Sequence, residues 1–217
     1  MDFVKFIYRP LAKRAARHVL VGRDRAPQSP ERARFTGRDV DDLLKRAWID
    51  YSVRSEKLPP EPTFGSRMNV RLACFTMAFF DALLAVGIER DYAINLIADT
   101  AWRVYRLWSI AALGLARLTP GRRTSLAFAI NRRGGLSLSF PFNAPGYVIE
   151  PVAATRGTAF DVVRCPIADY FRSEGAIDLC TASWCNLDYA LAELTGEKLV
   201  RTKTLVRGDG RCDFRLL

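Results

Sequence analysis

Hydrophobic periodicity changes once along this 217-residue chain, near Gly134-Gly135. Before that point, apolar residues recur three and four places apart, which is typical of amphipathic helices. After it, short runs such as Tyr147–Ala153 and Ala159–Cys165 have the composition and length of strands. The chain is therefore predicted to be α+β, with long helices first and a small sheet last.

The predicted helices of the first part cover residues 3–20, 39–55, 69–86, 89–117 and 122–132. Pro10 is expected to break the first of them. The stretch 22–34 contains two prolines and alternating charges, so a flexible linker is predicted there. This divides the chain into a basic N-terminal helix with its linker, residues 1–37, and a single α+β domain, residues 38–217.

Two helices are predicted to be inserted between the strands, at Pro166–Ser173 and at about Ser183–Leu194. Leu199–Val206 and Cys212–Leu217 then alternate like two more strands, and Asp209-Gly210 between them is a strong hairpin signal. The long helices are thus expected to pack on a small, largely antiparallel C-terminal sheet.

Basic residues are concentrated at the N-terminus. Residues 1–40 contain ten Lys or Arg against four Asp or Glu, within a net charge of +10 for the whole chain. The chain lacks zinc-finger spacing, an aromatic RNA-binding signature and a Gly-Arg tract, so no nucleic-acid partner is predicted. A solvated surface is the simpler interpretation. A weak contact of residues 1–34 with an anionic membrane stays open, as does a homodimer.

The five cysteines indicate a cytoplasmic protein with reduced thiols. Their number is odd, and a chain of this length can bury a core without disulfides. The first twenty residues are interrupted by Lys and Arg and do not resemble a secretory signal. The longest apolar run, 107–116, is too short to span a bilayer.

Three C-terminal residues are candidates for catalysis. Cys165 ends a predicted strand and precedes Pro166, so its thiol would face a helix N-terminus, where a thiolate is favoured. Cys185 and Asp188 share one helical face, and a Ser183 cap would place Cys185 in the first turn. Asp188 would move a proton for a substrate atom. Structural thiols and a solvated acid are the alternative interpretation.

Histidine and metal chemistry are not predicted. His18, the only histidine, is remote from the C-terminal cysteines in the sequence, so a Cys-His pair is not expected within the α+β domain. The last four cysteines are separated by 15, 5 and 27 residues without a C-x-x-C motif, although convergence in space would leave a structural zinc open. No P-loop, dinucleotide fingerprint or H-E-x-x-H motif is present, and no cofactor is predicted.

The last two predicted strands carry candidate binding residues. Cys212 is expected on one face of the final strand together with Phe214 and Leu216, with Asp213 on the other face. Arg201 and Lys203 would share one face of the preceding strand, where Arg201 could bind a substrate carboxylate through two hydrogen bonds. Charge pairing on the surface is the simpler alternative for each of them.

A string of C-terminal motifs resembles the L-2-amino-thiazoline-4-carboxylic acid hydrolase family. The motifs are Cys165-Pro166, Tyr170-Phe171, Gly175, Asp178-Leu179-Cys180, Cys185-Asn186-x-Asp188, Arg201-Thr202-x-Thr204-Leu205 and Gly208-Asp209-Gly210-Arg211-Cys212-Asp213-Phe214. The resemblance extends over roughly residues 38–217, because Trp48 and Asn69 fit the family's helical layout.

This resemblance implies a small-molecule substrate and hydrolytic opening of a ring containing sulfur and nitrogen. On this hypothesis Cys185, or as second choice Cys165, attacks the ring carbon and Asp188 transfers the proton. The expected substrate-binding residues are Arg201, Thr202, Thr204, Asp213, Cys212 and Cys180.

The C-terminal hairpin also resembles, remotely, the 4-vinyl reductase-type small-molecule-binding domains, in which a Glu-x-x-Cys…Gly…Cys pattern can hold zinc. Cys212 matches the final cysteine, but Thr204 and Arg201 stand where that pattern has Cys and Glu. This departure argues against the zinc site. It leaves a non-catalytic small-molecule-binding or sensor domain as the alternative function.

Overall fold

The structure, a computed structural model, describes residues 3–26, 33–117 and 141–217. The helix predicted over residues 122–132 lies outside these ranges, as does the middle of the predicted linker. Among the described helices, none combines the length and the apolar character that a membrane crossing requires.

Packing contacts divide the chain into two compact units. The first comprises Met1–Pro59 and Arg71–Arg106, and the second comprises Pro60–Val70 and Leu107–Leu217. The boundary predicted after residue 37 falls inside the first unit. All strands of the sheet belong to the second unit.

Within the described ranges, four long helices precede the sheet. They are α1 (Phe3–Leu20), α2 (Gly37–Ser55), α3 (Phe64–Leu84) and α4 (Arg90–Arg117). These helices confirm the corresponding predictions. α3 begins at Phe64 rather than at residue 69, because the Thr63 hydroxyl accepts a hydrogen bond from the Ser66 N–H at 3.1 Å and so caps the helix.

α1 runs through Pro10 without a break, so the predicted interruption there is wrong. One side of the helix is buried within the first unit, where Ala15, Ala16 and Leu20 are 0% exposed. Packing of such a face contributes more to helix stability than one missing backbone hydrogen bond removes. The N-terminal helix is therefore part of the folded unit.

The described ends of the predicted linker pair with each other. The Gly22 N–H donates to the Phe35 carbonyl and the Phe35 N–H donates to the Arg23 carbonyl, each at 2.9 Å. Phe35 itself is buried. These ends are thus ordered, which differs from the flexible linker that the prolines predicted.

α2 shows why the helical pattern in the sequence was reliable. Thr36 and Asp39 form a reciprocal capping box at its start. The apolar residues at helical spacing all face the core of the first unit; they are Val40, Leu43, Leu44, Ala47, Trp48 and Tyr51. Trp48 stacks on Phe75 of α3, with ring centroids 4.0 Å apart.

The second unit contains an antiparallel sheet in the order β1-β2-β4-β3. Its strands are β1 (Val148–Val152), β2 (Thr158–Arg164), β3 (Leu199–Val200) and β4 (Cys212–Leu216). The buried face includes the stacked rings of Phe160 and Phe214, whose centroids lie 4.8 Å apart. The α+β prediction, with a small antiparallel sheet at the C-terminus, is confirmed.

The helices between β2 and β3 lie in the second unit. They are α5 (Pro166–Ser173), α6 (Ile177–Cys180), a π-helical turn (Thr181–Cys185) and α7 (Leu187–Thr195). α5 has the predicted bounds. The second predicted helix begins earlier than Ser183, because α6 and the π turn precede α7.

β3 ends at Val200, whereas a strand as far as Val206 was predicted. After it, backbone N–H groups bond to side chains instead of to a neighbouring strand. Thr202 N and Lys203 N donate to the Asp213 carboxylate at 2.9 and 2.5 Å. Thr204 N donates to the Asp209 carboxylate at 2.7 Å. Side-chain acceptors of this kind compete with the backbone hydrogen bonds between strands, and here they replace those bonds.

Candidate active site

The four C-terminal cysteines converge in the second unit. Cys165 immediately precedes α5, Cys180 ends α6, Cys185 ends the π turn and Cys212 begins β4. Cys165 packs against the apolar cluster that contains Cys212, and the sulfur atoms of Cys180 and Cys185 are within hydrogen-bond distance of each other. Burial is the main cause that raises the pKa of Cys165, and the charges of Cys212 and Cys185 add to it. Cys74 lies in the first unit, on α3.

Cys180 and Cys185 form the tightest thiol pair. Their sulfur atoms are 4.0 Å apart, which is within hydrogen-bond distance for sulfur. Cys180 is 1% exposed, whereas Cys185 is partly exposed. The hydrogen bond from Cys180, with smaller contributions from the charges of Arg201 and Arg207, lowers the pKa of Cys185, although burial and Asp188 oppose this. The same hydrogen bond and then burial raise the pKa of Cys180. Of the two thiols, Cys185 is therefore the one with the lower pKa.

The predicted cap at Ser183 is wrong. Ser183 is 0% exposed and its hydroxyl donates to the Leu179 carbonyl at 2.6 Å, inside a helical run that begins at Ile177. Cys185 therefore does not lie at a free helix N-terminus, and a helix dipole does not activate it. The neighbouring thiol and guanidinium groups take that role.

Asp188 and Arg201 form an ion pair beside Cys185. Arg201 Nη1 lies 2.7 Å from Asp188 Oδ2, and Arg201 Nη2 donates to the Cys185 carbonyl at 3.0 Å. Burial raises the pKa of Asp188 to about 6, while Arg201 opposes the shift. Because 35% of the Asp188 side chain is exposed, water moderates this effect. Asp188 is a carboxyl group that can hold its proton well above pH 4.

Arg201 is deeply buried, with 3% of its side chain exposed. Its guanidinium lies over the rings of Tyr189 and Phe214, at 5.1 and 5.3 Å from their centroids. Its Nε is buried without a hydrogen-bond partner among the described residues. Asp188 and the Cys185 carbonyl each accept one bond from a terminal nitrogen, so these contacts use two of the five guanidinium N–H groups, and the binding of a substrate carboxylate by Arg201 stays a prediction.

The pKa of the Cys165 thiol is raised, whereas its position before a helix predicted a lowered pKa. The N–H groups of Ala168 and Ile167 at the start of α5 do lower the pKa of its thiol, as the helix position implied. Burial has the larger effect and raises this pKa above its ordinary value. Cys165 also packs against the apolar core of the sheet.

Cys212 and Thr204 lie at the edge of the same cluster. The Leu205 N–H donates to the Cys212 sulfur at 3.2 Å. Burial nevertheless raises the pKa of Cys212 to about 11. The Thr204 Oγ1 is buried and has no hydrogen-bond partner within the described part of the chain. A polar atom in this state is suited to a hydrogen bond with a bound molecule.

Thr202 and Asp213 are placed elsewhere. β4 alternates, so Cys212 and Phe214 face the core while Asp213 faces the other side of the sheet. Asp213 Oδ2 accepts a 2.6 Å hydrogen bond from the exposed Thr202 hydroxyl. The structure gives these two residues a role in shaping the segment after β3, and it does not bring them to the cysteines.

Comparison with known families adds one finding to this geometry. Residues 146–216 match the L-2-amino-thiazoline-4-carboxylic acid hydrolase family. The match confirms the family resemblance over this segment, which is shorter than the 38–217 predicted. It contains all nine candidate site residues. No significant match was found among curated proteins or among solved structures.

Within the segment that matches this hydrolase family, Tyr147 is a site neighbour that the sequence analysis missed. It is 3% exposed, and its hydroxyl accepts a 2.7 Å hydrogen bond from the Asn69 amide. Burial, followed by the charge of Cys165, raises the pKa of Tyr147 well above its usual value, and Asp188 contributes in the same direction. Its position at the start of a predicted strand was the available signal, but nothing in the pattern indicated which residues it would contact.

The described residues include no group of three His, Cys, Asp or Glu side chains arranged to hold a metal ion. His18 lies in the first unit and lines a cleft of about 580 Å³ together with Arg23, Trp102 and Arg103. The only histidine of the chain thus lies outside the segment that matches the hydrolase family.

Proposed function

We propose that the second unit is a hydrolase that opens a small ring containing sulfur and nitrogen, of the aminothiazoline carboxylate type, with Cys185 as nucleophile. The observation that carries the proposal is the contact set of Arg201. One guanidinium contacts the carboxylate of Asp188 and the backbone of Cys185. These contacts link Asp188, whose pKa burial raises, to the residue whose thiol pKa the hydrogen bond from Cys180 lowers.

The pKa shifts of Cys185 and Asp188 suit the same hydrolytic reaction. Lowering the pKa of Cys185 supplies a thiolate, and raising the pKa of Asp188 supplies a proton donor near neutral pH. The Asp188 charge raises the pKa of Cys185, so the thiolate forms more easily while Asp188 is protonated. A thiolate beside a neutral carboxylic acid is therefore the reactive state.

The first step forms a covalent adduct. The Cys185 sulfur bonds to the ring carbon between nitrogen and sulfur, the ring carbon–sulfur bond breaks, and the leaving sulfur takes the proton of Asp188. In the second step Asp188 removes a proton from water, and the resulting hydroxide attacks the same carbon. The Cys185–carbon bond then breaks, which regenerates the thiolate and the protonated acid. One water is consumed for each ring opened.

The remaining groups prepare the site. Arg201 is a positioning residue that holds Asp188, and Cys180 stabilises the thiolate of Cys185. The buried Oγ1 of Thr204 and Nε of Arg201 lack partners among the described residues, so a bound substrate can satisfy them.

The test is intact-mass analysis and turnover with L-2-amino-thiazoline-4-carboxylate. Cys185→Ser is expected to abolish turnover and the covalent adduct while leaving the circular dichroism spectrum unchanged. Cys74→Ala is the matched control, because it removes a thiol of the first unit, and it is expected to retain activity.

Two outcomes would change the assignment. Activity retained in Cys185→Ser but lost in Cys165→Ser would move the nucleophile to Cys165. Saturable binding without turnover or adduct in the unmodified chain would contradict the hydrolase and support the sensor-domain alternative.

A further inference from the structure

We propose that Cys180 and Cys185 are a modification site, at which a peroxide converts the thiol pair into a reversible disulfide. Inactivation of the enzyme by this bond rests on the proposed function, since Cys185 is the proposed nucleophile. Formation of the bond itself does not depend on any substrate.

The π turn is what allows these two residues to meet. In a regular α-helix, Cα atoms five residues apart are separated by about 8.6 Å, as follows from a rise of 1.5 Å and a rotation of 100° per residue. Cysteines whose Cα atoms are more than about 7 Å apart cannot be bridged without moving the backbone. In the turn Thr181–Cys185 the bonds instead span five residues, as in Asn186 N–H to Thr181 O at 3.0 Å. This winding returns residue 185 to the side of residue 180.

The sulfur atoms are already in contact. They lie 4.0 Å apart and must approach by about 2 Å to reach the length of a disulfide bond. Two hydroxyls maintain the unusual winding: Thr181 Oγ1 donates to the Ile177 carbonyl at 2.9 Å and Ser183 Oγ to the Leu179 carbonyl at 2.6 Å. Such bonds to carbonyls four residues earlier loosen regular α-helical bonding.

The two thiols differ in exposure and in pKa, as the two steps of disulfide formation require: one thiol must react with the peroxide, and the other must then attack the oxidised sulfur. Cys185 is partly exposed and meets a peroxide from solvent, whereas Cys180 is 1% exposed and does not. The lowered pKa of Cys185 gives it thiolate character, which determines the rate of oxidation. Cys180, the last residue of α6 directly before the π turn, is then the resolving thiol.

The chemistry balances with hydrogen peroxide as the oxidant. The Cys185 thiolate attacks one peroxide oxygen, the S–O bond forms and the O–O bond breaks, and the hydroxide that leaves takes up the proton that Cys185 released when it ionised. The Cys180 sulfur then attacks the sulfenic sulfur, the S–S bond forms and the S–O bond breaks, and the leaving hydroxide takes the proton of Cys180. Two thiols lose two electrons and two protons, and peroxide is reduced to two waters. A small dithiol reverses the reaction.

The sequence makes the disulfide easy to map. Trypsin cleaves after Arg172 and after Lys198, and the peptide between them contains Cys180 and Cys185 and no other cysteine. The full-length reduced protein is treated with equimolar hydrogen peroxide, blocked with N-ethylmaleimide and digested. The peptide is expected to lose the mass of two hydrogen atoms and to take up no maleimide. Dithiothreitol should restore two reactive thiols.

Variants separate the roles of the two cysteines. In Cys180→Ser, oxidation is expected to stop at a sulfenic acid on Cys185, which dimedone labels. In Cys185→Ser, the rate of oxidation of the remaining thiol in this peptide should fall at least about tenfold, because the lowered-pKa thiolate is gone. Cys74→Ala should still form the Cys180–Cys185 bond.

The proposal is overturned if both cysteines of the peptide still take up maleimide after other thiols of the protein have been oxidised. It is equally overturned if Cys185 is found crosslinked to Cys165 or Cys212 instead. A disulfide that forms in a protein without thiazoline turnover would refute only the proposed function. Turnover that requires Cys185 but survives complete oxidation of the peptide would refute only the inactivation.

Discussion

Arg201 contacts both Asp188 and the Cys185 carbonyl, so one buried guanidinium connects the end of the π turn with the first turn of α7. Its Nη1 lies 2.7 Å from Asp188 Oδ2, and only 3% of its side chain is exposed. A cation at this depth is favourable only while its partners are present.

Replacing Arg201 by Met should therefore lower the free energy of unfolding by about 2–4 kcal/mol, because a partly buried carboxylate loses its ion pair. Urea unfolding at pH 7 measures this change. Lys203→Met removes an exposed cation nearby and should change the stability by less than about 0.5 kcal/mol. Equal effects of the two substitutions would contradict the structural role given to Arg201.

The raised pKa of Asp188 predicts a specific effect of pH on stability. Between about pH 4 and 6 the folded state holds a proton at Asp188 that the unfolded state has released, so this residue makes stability fall as pH rises through that window. In Asp188→Asn this contribution is absent. The free energy of unfolding at pH 6.5 minus that at pH 4.5 should therefore be more positive in the variant than in the unmodified protein. Chemical unfolding of both proteins at the two pH values tests the sign. An unchanged difference would show that the Asp188 pKa is ordinary.

The same pair of shifts predicts the pH dependence of turnover. kcat/KM should fall on the alkaline side as Asp188 loses the proton it donates, and on the acid side as Cys185 becomes a thiol. In Asp188→Asn the alkaline limb should disappear along with most of the rate. A profile that keeps this limb in the variant would assign it to another group.

Asp213 should contribute to stability without contributing to chemistry. Its carboxylate accepts hydrogen bonds from the Thr202 hydroxyl and N–H and from the Lys203 N–H. Asp213→Ala is expected to lower the free energy of unfolding by about 2–4 kcal/mol, whereas Glu150→Ala on exposed β1 should have little effect. Burial raises the pKa of Asp213, but these hydrogen bonds lower it by more, so the contribution is present near neutral pH and is lost as pH falls through the native pKa.

The N-terminal helix offers a matched pair of neighbours. Leu20 is 0% exposed and Val21 is 46% exposed. Leu20→Ala should cost about 2–5 kcal/mol of stability, because it opens a cavity in the first unit, and Val21→Ala less than about 0.5 kcal/mol. Thermal unfolding measures both. Similar values for the two would mean that α1 is not packed as observed.

The sequence predicted most of the fold because periodicity and caps act locally. The apolar residues of α2 and the start of α5 after Pro166 are of this kind. The length of β3 was not predictable in the same way. It depends on which backbone N–H groups Asp213 and Asp209 accept from, and that is decided by side-chain contacts across the turn.

The sequence predicted which residues form the candidate site better than it predicted their pKa values. Spacing and motif brought Cys185, Asp188 and Arg201 together as a set. The direction of the Cys165 shift was not predictable, because burial outweighs two backbone hydrogen bonds only once the core of the sheet has formed around it. The π turn was missed because neither its five-residue backbone bond nor the two hydroxyl contacts beside it are visible in a hydrophobic pattern.

That turn absorbs one residue within the helical run from Ile177 to Thr195. A π turn holds one residue more than the α-helical turn it replaces. Four α-helical steps of about 100° and the five steps of the π turn both make slightly more than one revolution, so deleting Ala182 would let regular winding resume while the residues beyond it keep nearly the same direction around the axis. Asp188 would then still face its guanidinium partner. A deletion of one residue should therefore be tolerated better in this turn than in the regular helices on either side of it, where it would rotate everything that follows by about 100°.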